Sequence, residues 1–456
     1  MTASSVGPVS VEQTPSRDLR RTIAKLLLRD TNIVVGTVIA SNVLRMISSI
    51  VLTRLLMPEA FGTVGLISSI AFVLSMISDL GFQAFVIRHR DGAERRFLDV
   101  IWTIRLVRAA VLTLVLVMLA TPIANLVHRP VIAPALAVSA IQFLIDGCSS
   151  LSLVTALRER QVARLSALDI IGSCVQVAAA VALALVWRTY WSIVASMLIS
   201  SAVRTALSYV MFTHSRRRMA YDADYARELW RFARFVTGSS IISMVLMQSD
   251  KLVLARILPL DMLGLYMLAA NLALAPMSFT VSYANRVLYP TYARTWRETP
   301  DRLRTVFYQQ RRTVSMLYMA AAGGLIGGAP LLVAVLYDGR YAQAALYLRL
   351  LAFTPFLALA TYSANEVLTA SGRVEMTFHA NIARLVWLAV FGPVSFLTAG
   401  PLGLVACVGG LELPTLLYSW VQLHRVGLLH LGEEIGLLAI GGIGIAAGYA
   451  VCAIAL

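Results

Sequence analysis

Charged side chains embedded in long apolar stretches are the residues of this chain that could do chemistry. Arg45 lies near the middle of one stretch, and Asp250 and Lys251 lie within another. An ionisable group at membrane depth is costly unless it is paired or faces a wet cavity, so it marks a candidate site for an ionic ligand. We therefore predict that Arg45, Asp250 and Lys251 line a substrate cavity. The alternative is that Asp250 and Lys251 neutralise partners on neighbouring helices and hold the bundle together.

Three further arginines are candidates for the same cavity. Arg54 and Arg256 each end an apolar stretch on the side opposite the N-terminus, where guanidinium groups would attract a diphosphate or an acidic sugar. The alternative is that they stabilise exposed carbonyl groups at helix C-termini. Arg286 lies near the other face and could guide phosphate inward. For arginines at that depth, snorkelling to the headgroups is the commoner fate. The others of this kind include Arg105, Arg108 and Arg384.

Four carboxylates within the apolar stretches are candidates for ion coupling. A buried carboxylate can carry a proton, which would suit exchange coupled to protons or sodium. Pairing with a basic neighbour is the structural alternative for each of them. These residues are Asp79, Asp146, Glu366 and Glu412.

The sequence predicts no catalytic residues, no metal site and no cofactor. The six histidines are scattered, with no pair at i, i+4 beside a carboxylate, and no GxxxxGK phosphate loop is present. The four cysteines lie within apolar stretches and are interpreted as small buried side chains. The polar loops are too short to form a soluble glycosyltransferase domain, so we predict that the chain is not an enzyme.

The apolar stretches themselves predict membrane-spanning helices. Hydrophobic residues make up 58% of the 456 residues and charged residues only 14%, which is too apolar for a soluble protein. A helix needs roughly 20 apolar residues to cross a bilayer core. We predict an all-α polytopic membrane protein with about 12–14 transmembrane helices; its last stretch crosses, is re-entrant or precedes further chain. Thirteen stretches are found, at 32–54, 61–87, 100–124, 131–156, 166–187, 190–213, 235–258, 262–289, 313–336, 342–371, 379–399, 401–423 and 435–456.

The basic residues predict the orientation of the chain in the membrane. The formal net charge is +15, and 26 basic residues lie on the side that holds the N-terminus against 5 on the other side. Because cytoplasmic loops carry the excess of Arg and Lys, we predict a cytoplasmic N-terminus. No RNA-binding motif accompanies this charge, so nucleic acid is not a predicted partner.

An internal repeat predicts two related halves. Residues 52–66 (LTRLLMPEAFGTVGL) align without a gap with residues 254–268 (LARILPLDMLGLYML) at an offset of 202. The two copies lie six crossings apart, so both halves have the same orientation, and we predict two six-helix lobes around a central cavity. The predicted regions are a cytoplasmic tail with an amphipathic helix (1–30), an N-terminal lobe (31–213), a cytoplasmic linker (214–234), a C-terminal lobe (235–424) and an extra hydrophobic segment (425–456).

Four motifs carry a resemblance to a known family: LTRLLMPEAFG (52–62), SDLGFQAFVI (78–87), QSDKLVLARILPLDMLGLYMLAANLA (248–273) and NRVLYPTYAR (285–294). In these motifs the chain resembles the polysaccharide flippases, the Wzx-type transporters of the multidrug/oligosaccharidyl-lipid/polysaccharide exporter superfamily. The resemblance implies a bacterial inner-membrane protein of twelve or fourteen helices, a count from which thirteen stretches depart. It also implies that undecaprenyl-diphosphate-linked oligosaccharide is moved to the periplasmic leaflet for exopolysaccharide, O-antigen (lipopolysaccharide) or capsule export, here by alternating access.

Two other functions fit the same features. One is a cation-coupled antiporter for drugs or small metabolites, whose cavity should be more apolar or acidic. The other is a non-transporting membrane scaffold in a polysaccharide assembly complex. The expected partners are lipid-linked oligosaccharide, membrane lipid, and polysaccharide polymerase or export proteins.

Overall fold

The computed structural model describes residues 17–159, 161–212, 217–373 and 375–455, and throughout them the regular structure is helical, which confirms the all-α prediction. Residues 1–16 of the predicted tail lie outside the described residues. The first nine helices are α1 (Arg17–Leu55), α2 (Pro58–Ile77), α3 (Phe82–Arg88), α4 (Arg95–Leu126), α5 (Ala133–Ser139), α6 (Ile141–Gly147), α7 (Ser152–Arg158), α8 (Val162–Trp187) and α9 (Tyr190–Val210). The other eleven are α10 (Ala223–Ile257), α11 (Leu260–Leu274), α12 (Met277–Tyr283), α13 (Tyr289–Glu298), α14 (Leu303–Gly327), α15 (Ala329–Leu336), α16 (Ala344–Leu351), α17 (Phe353–Ala370), α18 (Glu375–Gly409), α19 (Leu413–Arg425) and α20 (Leu431–Ala455).

The length and composition of these helices are those of a multi-pass membrane protein. Ten described helical ranges could cross a bilayer, and α14 with α15, bent by 73°, makes an eleventh. Two of the thirteen predicted stretches share the range Glu375–Arg425, which divides at Gly400. Another lies in α10, which is not among the ten and carries Gln248, Asp250 and Lys251 in its apolar part. Each predicted stretch therefore overlaps helices of the structure.

Several predicted stretches are broken rather than continuous. The stretch at 61–87 is divided into α2 and α3, and the stretch at 131–156 into α5, α6 and α7. By contrast, the predicted amphipathic helix in the tail is continuous with the first stretch, since α1 begins at Arg17. At Gly400 the chain turns back with φ +61° and ψ −149°, a conformation that only glycine adopts readily.

The last helix, α20, packs along α14 through glycines on both helices. An added Cβ at Gly323 would overlap the main-chain oxygen of Gly441, and one at Gly327 would overlap that of Ile445. Because the contacting residue numbers rise together, the two helices run parallel. α20 is one continuous helix of 25 residues and is among the ten ranges that could cross the membrane.

We predict that a larger side chain at Gly444 separates α20 from α14. A Cβ at Gly444 would overlap the main-chain oxygen of Ala320, whereas a Cβ at Gly442 meets nothing within 4 Å. Overpacking of this kind costs about 1–3 kcal/mol. Gly444→Ile should therefore lower the melting temperature of the detergent-solubilised protein, and Gly442→Ile on the same helix should not. Equal melting temperatures for the two variants would contradict the observed helix contact.

Candidate functional site

The two copies of the sequence repeat contact each other at equivalent positions. At the offset of 202, Pro58 corresponds to Leu260 and Gly62 corresponds to Gly264. An added Cβ at Gly62 would overlap the oxygen of Leu260, and one at Gly264 would overlap the oxygen of Pro58. The contact between α2 and α11 is therefore reciprocal, as in a twofold-symmetric interface.

The carbonyl groups of Leu56 and Leu258, the residues directly after α1 and α10, accept hydrogen bonds from the opposite predicted half. The Arg129 guanidinium donates to the oxygen of Leu258 at 3.0 Å, and the Tyr341 hydroxyl donates to the oxygen of Leu56 at 2.9 Å. Leu56 and Leu258 are equivalent in the repeat. These donors satisfy carbonyl groups that have no partner within their own helix.

Two further arginine contacts complete this region, which consists of residues 128–129 and 338–341 with the ends of α1 and α10. We call it the outer seal, after the outer side on which the predicted orientation puts it and the closing role proposed for it below. Arg340 donates to the oxygens of Thr53 and Arg54 at 3.4 and 3.3 Å. The backbone N–H and guanidinium of Arg340 hold the pKa of Asp338 below its usual range. The Arg256 guanidinium lies 3.1 Å from Nε2 of His128. Arg256 therefore lies beside the loop at residues 128–129. Arg54 lies in the last turn of α1, and its side chain is exposed.

Arg45 lies on the face of α1 that is directed at the second predicted half. Asn42 Nδ2 donates to Ser278 Oγ at 3.1 Å, and Ser49 Oγ lies 3.3 Å from the hydroxyl of Tyr337. Arg45 is three residues after Asn42 and four before Ser49, so the three side chains share one helix face. Its side chain is exposed, ten residues or about 15 Å before the end of α1.

Asp250 and Lys251 leave α10 in different directions, since successive residues are about 100° apart around a helix. Lys251 Nζ donates to the oxygen of Met247 at 2.8 Å and to Gln248 Oε1 at 3.2 Å. Asp250 is buried, accepts a hydrogen bond from the Tyr266 hydroxyl, and lines a cleft between α10 and α18. The two residues therefore do not line one surface.

Arg286 lies in a π-helical turn, Ala284–Leu288, between α12 and α13. Its side chain is exposed near the predicted inner end of that span. Such turns are frequent at functional sites. The structure brings Arg286 into neither the outer seal nor the Arg45 face.

Asp79 and Asp146 lie at helix breaks. Asp79 lies in the break after α2 and connects it to α10. Its Oδ1 accepts a hydrogen bond from the N–H of Gly81, and its Oδ2 accepts one from Ser240 Oγ on α10, both at 2.9 Å. Asp146 accepts a hydrogen bond from the hydroxyl of Ser201, and its main-chain oxygen accepts from Arg105 at 2.6 Å. These contacts favour the structural interpretation of both carboxylates.

Glu412 and Glu366 are both buried in the second predicted half. Glu412 forms an ion pair with Arg384 at 2.8 Å and accepts from Thr361 Oγ1 at 2.9 Å. Arg384 is therefore held inside the bundle rather than snorkelling to the headgroups. Glu366 lies on α17 among residues that are themselves buried.

The sequence does not identify the most deeply buried ion pair, Arg311 with Glu434. Their side chains are 1% and 3% exposed, Arg311 also donates to Ser363 Oγ at 2.8 Å, and its guanidinium lies 4.0 Å from the Phe307 ring centroid. The charge count placed Arg311 in a loop, and Glu434 fell one residue before the last stretch. An apolar stretch is bounded where charged residues begin. Both members of this pair, which joins α14 to α20, therefore lie just outside the predicted stretches.

Curated relatives of this chain function in polysaccharide biosynthesis. A family model described as "Polysaccharide biosynthesis protein" matches residues 51–346. The succinoglycan biosynthesis transport protein ExoT of Rhizobium meliloti is 26% identical over 312 residues, 68% of this chain and 62% of ExoT. The lipopolysaccharide biosynthesis protein WzxC of Escherichia coli is 23% identical over 340 residues, 74% of this chain and 69% of WzxC. The alignment therefore spans less than two thirds of ExoT.

Solved structures of transporters share the fold. The lipid II flippase MurJ in an inward closed conformation aligns with a TM-score of 0.70 and 12% identity, over 90% of this chain and 91% of MurJ. An inward-facing multidrug resistance transporter of the MATE family, in the MOP superfamily, aligns with a TM-score of 0.67 and 13% identity, over 88% and 95%. These likenesses establish the fold.

We predict that Arg311 and Glu434 depend on each other for stability. Removing one member of a buried ion pair leaves an uncompensated charge and costs roughly 3–5 kcal/mol. Arg311→Met and Glu434→Gln should each lower the melting temperature, and the double variant should be more stable than either single variant. The exposed pair Arg294–Glu298 is the control, and Glu298→Gln should have little effect. Additive losses in the double variant would contradict a mutual dependence.

Proposed function

We propose that this chain, which belongs to the polysaccharide biosynthesis protein family, is a flippase for lipid-linked oligosaccharide in the bacterial inner membrane. Its substrate would be an undecaprenyl-diphosphate-linked repeat unit for exopolysaccharide, O-antigen or capsule export. The observation that carries the proposal is the exposed guanidinium of Arg45, which faces the second predicted half below the outer seal. The names of ExoT and WzxC, and the fold shared with MurJ, support this choice.

A cationic surface at membrane depth meets the main energetic demand of this reaction. A diphosphate and its sugars cannot enter hydrocarbon unless polar partners replace water. The guanidinium of Arg45 supplies several donors in a planar fork that matches phosphate oxygens. Lys251, on the first helix of the other predicted half, would add a second charge, and the polyprenyl tail would remain in lipid.

Alternating access would then require the outer seal to open. The reciprocal contact of Gly62 with Gly264 supports two lobes related by a twofold axis. In the orientation that we propose, with the N-terminus cytoplasmic, the seal closes the periplasmic end, and substrate enters from the inner leaflet. Transport would be coupled to protons or sodium through a carboxylate. Among the candidates, the contacts of Asp79, Asp146 and Glu412 favour structural roles, so Glu366 is the one we would test first.

Removal of the two cations should reduce translocation. The assay measures the rate at which fluorescent undecaprenyl-diphosphate oligosaccharide crosses proteoliposome membranes. We expect Arg45→Ala combined with Lys251→Ala to lower this rate at least tenfold, and Arg45→Lys to retain part of it. Arg294→Ala, which removes an exposed arginine on α13, is the control. Normal translocation by the triple variant Arg45→Ala, Lys251→Ala, Arg256→Ala would refute the cationic cavity and would favour a scaffold role.

Weakening of the outer seal should favour the outward-open state. Arg129→Ala with Arg340→Ala removes charged hydrogen bonds that each contribute about 1.5–3 kcal/mol. In a background without native cysteines, a cysteine at Ser49 should therefore react several-fold faster with a membrane-impermeant maleimide added outside. Arg188→Ala, at the end of α8, is the control. Unchanged labelling in the double variant would show that these arginines do not close the pathway.

A further inference from the structure

The cleft between α10 and α18 is an apolar cavity of about 370 Å³ that contains a single carboxylate. Most of its lining is hydrocarbon, as in Val253, Leu388 and Phe396, and its oxygen-bearing side chains are those of Ser249 and Asp250. Small-molecule sites have this construction, with an apolar wall and a few fixed polar groups. Neither Arg45 nor Lys251 lines the cleft, and Ile257, the last residue of α10, lies at its end beside the outer seal.

The carboxylate of Asp250 is held in one orientation and is incompletely satisfied. Oδ2 accepts the hydrogen bond of the Tyr266 hydroxyl, while Oδ1 is buried without a hydrogen-bond partner in the described part of the chain. The side chain as a whole is only 9% exposed. The charge of Lys251 acts on Asp250, but its ammonium group makes no hydrogen bond to Oδ1 and donates back along α10 to Met247 and Gln248. The hydroxyl of Ser249, also in the cleft, likewise lacks a partner.

A buried acceptor of this kind is stabilised by a donor that brings positive charge. Metal ions that bind oxygen require about six ligands, and this lining offers oxygen atoms from two side chains. A protonated amine needs only one carboxylate oxygen, and its hydrocarbon part can fill the rest of the cleft. The carboxylate and the apolar volume together favour a ligand that is cationic at one end and lipophilic along its length.

We propose that the cleft between α10 and α18 is a binding site for a lipophilic organic monocation, whose ammonium group donates to Oδ1 of Asp250. Val253, Leu388 and Phe396 contact its apolar part. Tyr266 positions the carboxylate by holding Oδ2. This site is separate from the proposed path of the anionic oligosaccharide, and it goes beyond the proposed function.

The test uses dansylcadaverine, a fluorescent primary amine, titrated with the full chain in detergent after subtraction of the signal from empty micelles. We expect saturable binding by the unaltered chain and at least tenfold weaker binding by Asp250→Asn, which keeps the side-chain shape. Asp261→Asn, an exposed carboxylate on α11, is the matched control and should bind normally. N-acetylated dansylcadaverine, which has no charge, should bind the unaltered chain and Asp250→Asn equally weakly.

A second variant tests the cleft without altering the carboxylate. An added Cβ at Gly392 meets only ordinary contacts, 3.7 Å from Leu404 and 3.9 Å from Leu388, so Gly392→Leu should fold and fill the cleft. We expect it to abolish amine binding. The proposal would be overturned if either variant bound the amine as tightly as the unaltered chain does. It would also be overturned if the amine and its acetylated form bound the unaltered chain equally well. Because binding is measured without translocation, this result is independent of the flippase assay.

Discussion

A main-chain carbonyl group that leaves a helix inside hydrocarbon finds no water, and the protein must supply its donor. The described helices break repeatedly, and arginines are the donors at several of these breaks. Arg108 bonds the oxygens of Ser75 and Ser78 where α2 ends, and Arg105 bonds that of Asp146. Arg129 and Arg340 do the same across the predicted halves. A guanidinium has five donors and an ammonium three, so one arginine can bond more than one such carbonyl group, as Arg108 does.

The same constraint explains what the sequence could and could not predict. Apolar stretches identified the helical class, because hydropathy records which segments avoid water. It does not record partners, so Arg105 and Arg108 were expected to snorkel to the headgroups, whereas they bond carbonyl groups at helix breaks. Gly62 and Gly264 could be matched by spacing, but their mutual contact depends on how distant helices pack. The predicted cavity residues Arg54, Arg256 and Arg286 have known positions in the structure, and their roles remain proposals.

Three buried carboxylates of the described residues, Glu412, Glu434 and Asp250, lie in two different chemical situations. Glu434 and Glu412 each have an arginine partner, and their charges hold helices of the second predicted half together. Asp250 accepts a hydrogen bond from a tyrosine on one oxygen, and its other oxygen has no hydrogen-bond partner among the described residues. Two paired charges resist separation, because each would be left buried without its partner. A carboxylate oxygen without a hydrogen-bond donor can instead accept one from a ligand. Pairing with arginine therefore distinguishes Glu412 and Glu434, which stabilise the bundle, from Asp250, at which we propose a ligand site.

The reciprocal contact of α2 with α11 has a consequence for the origin of the chain. In a self-complementary contact, a surface binds a second copy of itself. A shorter ancestor with one copy of the repeat could therefore form the same contact as a homodimer of two separate molecules. Duplication and fusion of such an ancestor would preserve the contact without requiring new complementarity. After later divergence, two chemically different side chains, Arg129 and Tyr341, donate to the equivalent carbonyl groups that directly follow α10 and α1.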